Sequence, residues 1–279
     1  MRNELFKLDI SGGISLFAQS WLPEAPARAG IALVHGLGEH SGRYAPLAEA
    51  LTSAGVAVFA MDLRGHGRSP GPRGHAPSFD VLANDITRLV EHTQASLGPL
   101  PVFIYGHSLG GSLVLYTLIT KKPPVRAAVV TSPGLAPATP VSGLTQALGR
   151  VLSAVWPTFS MANGLDLTGL SRDPQVIEAY RSDPLVHGHI SARLGMEVLQ
   201  KGQWTLAHAA ELGVPTLLMQ GSADRLVDPR ATRVFAERAG STVTYVEWPG
   251  AYHELHNDLE KQAVISTELN WLDEHLSGR

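Results

Sequence analysis

Cysteine is absent from this sequence of 279 residues. Its absence excludes disulfide bonds, thiolate nucleophiles and cysteine metal sites, although it does not identify a cellular compartment. Long runs of like charge are also absent, and the 22 basic and 25 acidic residues give a formal net charge of −3. Because proteins that bind nucleic acids usually concentrate lysine and arginine on one face, we expect no nucleic-acid partner.

Long apolar runs are missing as well. No stretch approaches the roughly 18 consecutive apolar residues of a membrane-spanning helix, and the N-terminal MRNELFKLDI has no apolar segment typical of a signal peptide. These features predict a cytoplasmic protein and leave contact with a membrane surface open. The length and the 44% hydrophobic content are enough for a sizeable core, and they favour one domain with a substantial insertion.

Short β-like runs alternate with helical patterns along most of the chain. Several of the runs are almost entirely apolar, as strands buried on both faces should be. The predicted strands are Ile31–His35, Val56–Met61, Val102–Tyr105, Ala127–Thr131, Thr216–Gln220 and Thr242–Trp248. This alternation predicts a mostly parallel sheet flanked by helices.

The alternation lapses between about residues 134 and 205. That segment contains prolines, a helical apolar stripe and no clear strand. We interpret it as a helical cap inserted into a core domain formed by residues 1–133 and 206–279.

The segment Gly106–Gly110, GHSLG, matches the pattern G-x-S-x-G. It follows a predicted strand and precedes a helical pattern, which is the context of a nucleophile elbow. In such a turn Ser108 has strained backbone angles and projects its hydroxyl above the sheet edge, while the glycines avoid collisions with the neighbouring strand and helix. The alternative is a glycine-rich turn that only joins two elements.

A serine hydroxyl is a poor nucleophile until a base takes its proton, and that base needs a carboxylate to orient it. Asp224 follows one predicted strand and His253 follows the last, so the chain order is Ser, Asp, His, as the elbow-containing fold requires. Asp228 competes for the role of the acid. We favour Asp224 because it lies closer to the strand end, whereas Asp228 precedes Pro229 and is suited to cap a helix.

The tetrahedral intermediate of acyl transfer carries an oxyanion that preorganised N–H groups must stabilise. The amide of Leu109, directly after the serine, is one predicted donor. The amide of Leu37, in the glycine-flanked loop after an earlier strand, is the other. Serine chemistry needs no metal, and His253 and His256 are spaced differently from the histidines of H-E-x-x-H, so we expect neither a metal nor a cofactor.

Six blocks of the chain together resemble the monoacylglycerol lipase (lysophospholipase-like, serine aminopeptidase-type) family of α/β-hydrolases. The blocks are HGLGEHSGRY, MDLRGHGRS, GHSLGG, SDPLV, QGSADRLVD and YHELHND, and they extend from residue 35 to residue 258. The resemblance implies an α/β-hydrolase fold with an inserted cap. It also implies Ser108, Asp224 and His253 as the catalytic triad, with Leu37 and Leu109 as oxyanion donors.

The same resemblance implies a lipid ester as substrate, namely a monoacylglycerol cleaved through an acyl-enzyme. It places Glu39, Arg43 and His256 at the polar end of the pocket, against the glycerol hydroxyls; the alternative for Glu39 and Arg43 is an ion pair that fixes the loop. The competing functions with the same triad are a general carboxylesterase, a lysophospholipase, a proline-type aminopeptidase and an acyltransferase. A ligand sensor without catalysis is a further alternative. The sequence does not indicate an oligomeric state.

The predicted cap carries an apolar stripe at helical spacing. Its members are Leu144, Leu148, Val151, Leu152, Val155 and Trp156. One interpretation is a face that packs on the core domain or lines an acyl tunnel, with Leu144, Leu148 and Leu152 contacting substrate. The other is a lid that rests on lipid surfaces, with little electrostatic assistance because few basic residues accompany the stripe.

Overall fold

A computed structural model describes residues 1–276. An eight-stranded sheet with the strand order β1-β2-β4-β3-β5-β6-β9-β10 forms its centre. Its strands are β1 (Arg2–Ile10), β2 (Ile14–Leu22), β3 (Ala29–Val34), β4 (Val56–Met61), β5 (Val102–His107), β6 (Ala128–Thr131), β9 (Thr216–Gly221) and β10 (Val243–Trp248). The pairs β1–β2 and β2–β4 are antiparallel and the other pairs are parallel, so the predicted mostly parallel sheet is confirmed.

The six predicted strands are all present, and their bounds differ from the prediction by at most two residues. The sequence analysis missed β1 and β2. In β1 most side chains are exposed, and polar and apolar residues mix along the strand. Because β1 lies at the edge of the sheet, it does not need the continuous apolar run that marks a central strand.

Helices cover both faces of the sheet. The helices outside the β6–β9 segment are α1 (Ala45–Ser53), α2 (Phe79–Leu97), α3 (Leu109–Thr120), α7 (Pro229–Ala239) and α8 (Lys261–Leu276). One buried apolar cluster joins one face of the sheet to α2, α3 and α7, and a second joins the other face to α1 and α8. The two clusters fix the sheet between two helical layers, and every functional strand end therefore emerges at a defined place.

The chain between β6 and β9 forms three helices and a small antiparallel ribbon. These elements are α4 (Gly143–Val155), β7 (Ser160–Ala162), α5 (Pro174–Ser182), β8 (His189–Ser191) and α6 (Ala192–Ala207). The expectation that this segment has no strand was wrong, because β7 and β8 have only three residues each and are too short for a periodic signal. The division into residues 1–133, 134–205 and 206–279 stays a prediction.

The apolar stripe of α4 does not pack on the sheet domain. Leu144 and Val155 are 82% and 74% exposed, and Val151 and Trp156 are also exposed. Most of the stripe is therefore not packed against the core domain, and the interpretations that it lines an acyl tunnel or rests on a lipid surface stay predictions. No helix within residues 1–276 is both long enough and apolar enough to cross a bilayer.

Candidate active site

Ser108 stands between β5 and α3 in a sharply turned backbone. Its φ of 55° and ψ of −118° lie in a region that residues with a side chain rarely adopt. A Cβ atom added at Gly106 would lie 2.5 Å from the carbonyl oxygen of Gly110, and one added at Gly110 would lie 2.2 Å from the carbonyl oxygen of Val34. The turn therefore needs glycine on both sides of the serine, because β5, α3 and the end of β3 meet there without space for a side chain.

The structure brings Ser108, His253 and Asp224 into one hydrogen-bonded row. His253 Nε2 lies 2.9 Å from Ser108 Oγ, and His253 Nδ1 lies 2.7 Å from Asp224 Oδ2. Both His253 and Asp224 are buried. Because a carboxylate only accepts hydrogen bonds, Nδ1 carries the proton and Nε2 is free to accept the serine hydroxyl proton.

Asp224 is held by donors other than the histidine. The amides of Leu226 and Val227 donate to Oδ1 at 2.8 and 3.1 Å, and Gln220 Nε2 donates to Oδ2 at 2.9 Å. Asp228 has a different role: its Oδ1 accepts the amide of Arg230 at 3.0 Å and caps α7. Gln220 was not found by sequence reasoning, since nothing in a buried strand residue indicates which carboxylate it will contact.

The electrostatic surroundings of His253 suit a general base. Burial by itself lowers the pKa of His253, but the negative charge and hydrogen bond of Asp224, followed by the charges of Glu254 and Glu39, raise the pKa above 6.5. The base must be neutral to take a proton, so the acid limb of kcat/KM against pH is expected above pH 6.5.

The backbone of the histidine loop is also fixed. Ser132 follows β6 with a φ of 45°, and its Oγ donates to the carbonyl oxygen of His253 at 2.7 Å. The sequence contains no signal for this contact, because 121 residues separate the two.

The two residues predicted to supply oxyanion donors lie beside the serine. Leu37 and Leu109 both line the cavity beside Ser108, and within residues 1–276 neither backbone N–H has a hydrogen-bond acceptor. A Cβ atom added at Gly36 would lie 3.2 Å from Ser108 Cβ, so the loop passes directly beside the nucleophile. The amide N–H of Gly36 donates to Glu39 Oε1 at 2.7 Å. The next amide along the loop that could serve as a donor is therefore that of Leu37. The Leu109 amide belongs to the first turn of α3, where helix N–H groups are unpaired and favour negative charge.

A cavity of about 580 Å³ begins at Ser108 and His253. Its wall is mainly apolar and comes mostly from the segment between β6 and β9. Its apolar members include Leu148, Leu152, Phe159, Ile190, Met196 and Leu199. This wall can accommodate a hydrocarbon group next to the reactive hydroxyl.

Comparison with known proteins agrees with this geometry. The chain matches the family described as serine aminopeptidase, S33, over residues 25–260. It belongs to this family. A human monoglyceride lipase is 37% identical to this chain, and the match covers 94% of this chain and 88% of the human protein. An abhydrolase domain-containing protein of Dictyostelium discoideum is 35% identical over 100% of this chain, which spans only 30% of that longer protein.

The fold comparison identifies an α/β-hydrolase. The crystal structure of a Paleococcus ferrophilus monoacylglycerol lipase superimposes on this S33 hydrolase with a TM-score of 0.84 and 37% sequence identity. The match covers 93% of this chain and 99% of the archaeal one. The predicted α/β-hydrolase fold is thereby confirmed.

The predicted substrate contacts of α4 are only partly on the cavity wall. Leu148 and Leu152 line the cavity of the S33 hydrolase. Leu144 is 82% exposed and does not line the cavity, so its predicted substrate contact stays a prediction. Helical periodicity places the three leucines on one stripe of α4, but only part of that stripe faces the cavity.

The polar residues predicted beside the substrate head are engaged elsewhere. Glu39 accepts the Tyr44 hydroxyl at 2.7 Å and a guanidinium N–H of Arg43 at 2.6 Å. Arg43 also donates twice to Glu254, at 2.8 and 2.9 Å. His256 is buried against the ring of Tyr44, with 5.0 Å between ring centroids. None of these predicted side chains lies on the cavity wall, so for Glu39 and Arg43 the geometry favours the ion pair that fixes the loop.

Replacing Asp224 by asparagine should lower kcat on the order of 10⁴-fold, because the amide removes the charge that holds His253 in the reactive tautomer. Asp228→Asn is the matched control, since it alters only a helix cap and an exposed ion pair with Arg230, and it should leave kcat within about threefold. Steady-state kinetics on a chromogenic short-chain ester measures both, with circular dichroism as the check on folding. A larger loss in Asp228→Asn would identify Asp228 as the acid instead.

Proposed function

We propose that this protein hydrolyses monoacylglycerols to a fatty acid and glycerol. The observation that carries the proposal is the apolar cavity that starts at Ser108 and His253, beside the amides of Leu37 and Leu109, which have no acceptor among the residues that the structure describes. The names of the human and archaeal relatives, monoglyceride lipase and monoacylglycerol lipase, support the same substrate class.

In the proposed reaction, the acyl chain lies in the cavity and the ester carbonyl oxygen faces the amides of Leu37 and Leu109. Ser108 Oγ attacks the carbonyl carbon while His253 Nε2 takes the hydroxyl proton. Asp224 stabilises the imidazolium that results. The two amides stabilise the oxyanion, and one such donor is worth about 3–4 kcal/mol in the transition state.

The tetrahedral intermediate then collapses and the C–O bond to glycerol breaks. His253 returns its proton to the departing glycerol oxygen, which leaves the acyl group on Ser108. A water molecule next gives a proton to His253 and attacks the acyl carbon. The second intermediate releases the fatty acid and restores the serine hydroxyl.

The cavity favours one acyl chain. A single apolar chain can be buried along the wall that α4 and α6 supply, whereas a triacylglycerol carries two further chains that need the same kind of surface. Each chain methylene that leaves water contributes roughly 0.8 kcal/mol to binding. Longer single chains should therefore lower KM until the cavity is full.

Initial rates on mono-, di- and triacylglycerols of one chain length, presented in mixed micelles, test the proposed substrate. We expect kcat/KM to be at least about tenfold higher for the monoacylglycerol than for the triacylglycerol, because only one chain fits beside the serine. A chromogenic butyrate ester serves as the control for active enzyme. Comparable values on all three glycerides would contradict the single-chain cavity and favour a general carboxylesterase.

We further propose that the exposed side of α4 rests on the lipid surface that holds the substrate. Leu144, Leu148, Val151 and Val155 form an exposed apolar stripe on α4, and the exposed Trp156 directly follows the helix. Leu148 and Leu152 also line the cavity, so the stripe borders it. Arg150 is the one charged residue within α4. Binding should therefore depend on apolar contact and extend to vesicles without anionic lipid.

The double variant Leu144→Ser/Val155→Ser tests this contact. It should sediment less with neutral phosphatidylcholine vesicles and show a higher KM for vesicle-borne monoacylglycerol, because two large apolar groups are removed from the stripe. Its kcat on a water-soluble butyrate ester should not change. The matched control is Leu5→Ser, since Leu5 is 61% exposed on the edge strand β1. Equal vesicle binding by both variants would refute the proposed contact.

A further inference from the structure

A buried arginine joins the two loops that carry the reactive groups. Arg43 lies in a short 3₁₀ turn, Ser41–Tyr44, after the loop that contains Leu37. Its Nη1 donates to Glu39 Oε2 at 2.6 Å and to Glu254 Oε1 at 2.8 Å, and its Nη2 donates to Glu254 Oε2 at 2.9 Å. The side chains of Arg43, Glu39 and Glu254 are only 10%, 4% and 2% exposed.

Each carboxylate is tied to one part of the catalytic apparatus. Glu39 accepts the amide of Gly36, the residue directly before Leu37, so it fixes the peptide that leads into the predicted oxyanion donor. Glu254 directly follows His253, and its amide donates to the carbonyl oxygen of Leu170 at 2.8 Å. The guanidinium therefore cross-links the backbone of the oxyanion loop to the backbone of the base.

The remaining surroundings of Arg43 are protein groups outside the cavity wall. The ring of Tyr180, from α5, lies 4.6 Å from the guanidinium carbon and is itself buried. Asn257 Nδ2 donates to Glu254 Oε2 at 2.8 Å and completes the environment of that carboxylate. Arg43 is not part of the cavity wall. The guanidinium thus contacts two carboxylates and one aromatic ring.

We infer that Arg43 is a positioning residue, which holds the Leu37 amide and His253 at the mutual distance that the transition state requires. The inference rests on the proposed function only in that Ser108 hydrolyses an ester; it does not depend on a glycerol head. A misplacement of about 1 Å at a reacting group can cost on the order of 10²-fold in rate. The planar fork of arginine makes two parallel bonds to Glu254, which a lysine ammonium cannot reproduce.

The variants Arg43→Gln and Arg43→Lys test the inference on two substrates, p-nitrophenyl butyrate and a monoacylglycerol. We expect Arg43→Gln to lower kcat on the order of 10²-fold on both esters, with KM changed by less than about threefold. Arg43→Lys should recover part of kcat, because it keeps the charge but loses the paired bonds. A residue that bound the glycerol head would instead affect only the monoacylglycerol, and chiefly its KM.

The matched control is Arg64→Gln. Arg64 is 11% exposed and pairs with both oxygens of Asp85 in α2, at 2.6 and 2.9 Å. Its two-bond ion pair resembles the one that Arg43 makes with Glu254, but Arg64 pairs with a single carboxylate and connects no catalytic loop. This control should lose thermal stability and retain its kcat.

Two results would overturn the inference. One is a loss confined to KM for the monoacylglycerol, and the other is an equal loss of kcat in Arg43→Gln and Arg64→Gln. If Arg43→Gln does not fold, the inference would be overturned by a kcat of Arg43→Lys equal to that of the unsubstituted protein. Turnover of the butyrate ester without turnover of any monoacylglycerol would reject the proposed substrate and leave this test intact.

Discussion

The close approach of β5, α3 and the end of β3 around Ser108 is the constraint on which the rest of the structure depends. Gly106 and Gly110 permit it, since a Cβ atom at either would lie 2.5 Å or less from a carbonyl oxygen. The resulting turn holds Ser108 at a positive φ and places its Oγ 2.9 Å from His253 Nε2. The same turn makes Leu109 the first residue of α3, with its amide directed away from the helix. One backbone feature thus positions both the proposed nucleophile and a proposed oxyanion donor.

A buried set of charges then holds the second half of the site. Asp224 orients His253 and raises its pKa, and Glu254 adds to that effect from the next residue along the chain. Burying carboxylates is costly unless they are paired and hydrogen-bonded. The guanidinium of Arg43 between Glu39 and Glu254 meets that requirement, and it connects the two loops in the process. The charges that stabilise the loops and those that tune the base therefore belong to one network.

The sequence predicted the central strands because apolar runs and turn residues are local signals. It also indicated Ser108, Asp224 and His253 as a triad, because the fold fixes the order of these three residue types along the chain. Other features depend on distant partners and left no such signal. Arg43 and Glu254 are 211 residues apart, so their pairing could not be read from spacing. The periodicity of α4 predicted an apolar stripe, but periodicity does not say which side faces a cavity, so it could not separate the exposed Leu144 from Leu152, which lines the cavity.

The proposed role of Ser108 as the activated nucleophile underlies every other role assigned to the site. Labelling with a fluorophosphonate, followed by mass spectrometry of the peptides, tests this role, since the reagent forms a stable bond with a serine that a neighbouring base activates. We expect a single adduct on Ser108, no labelling of Ser108→Ala, and a loss of turnover on the order of 10⁶-fold in that variant. An adduct on another serine, or labelling that persists in Ser108→Ala, would contradict it.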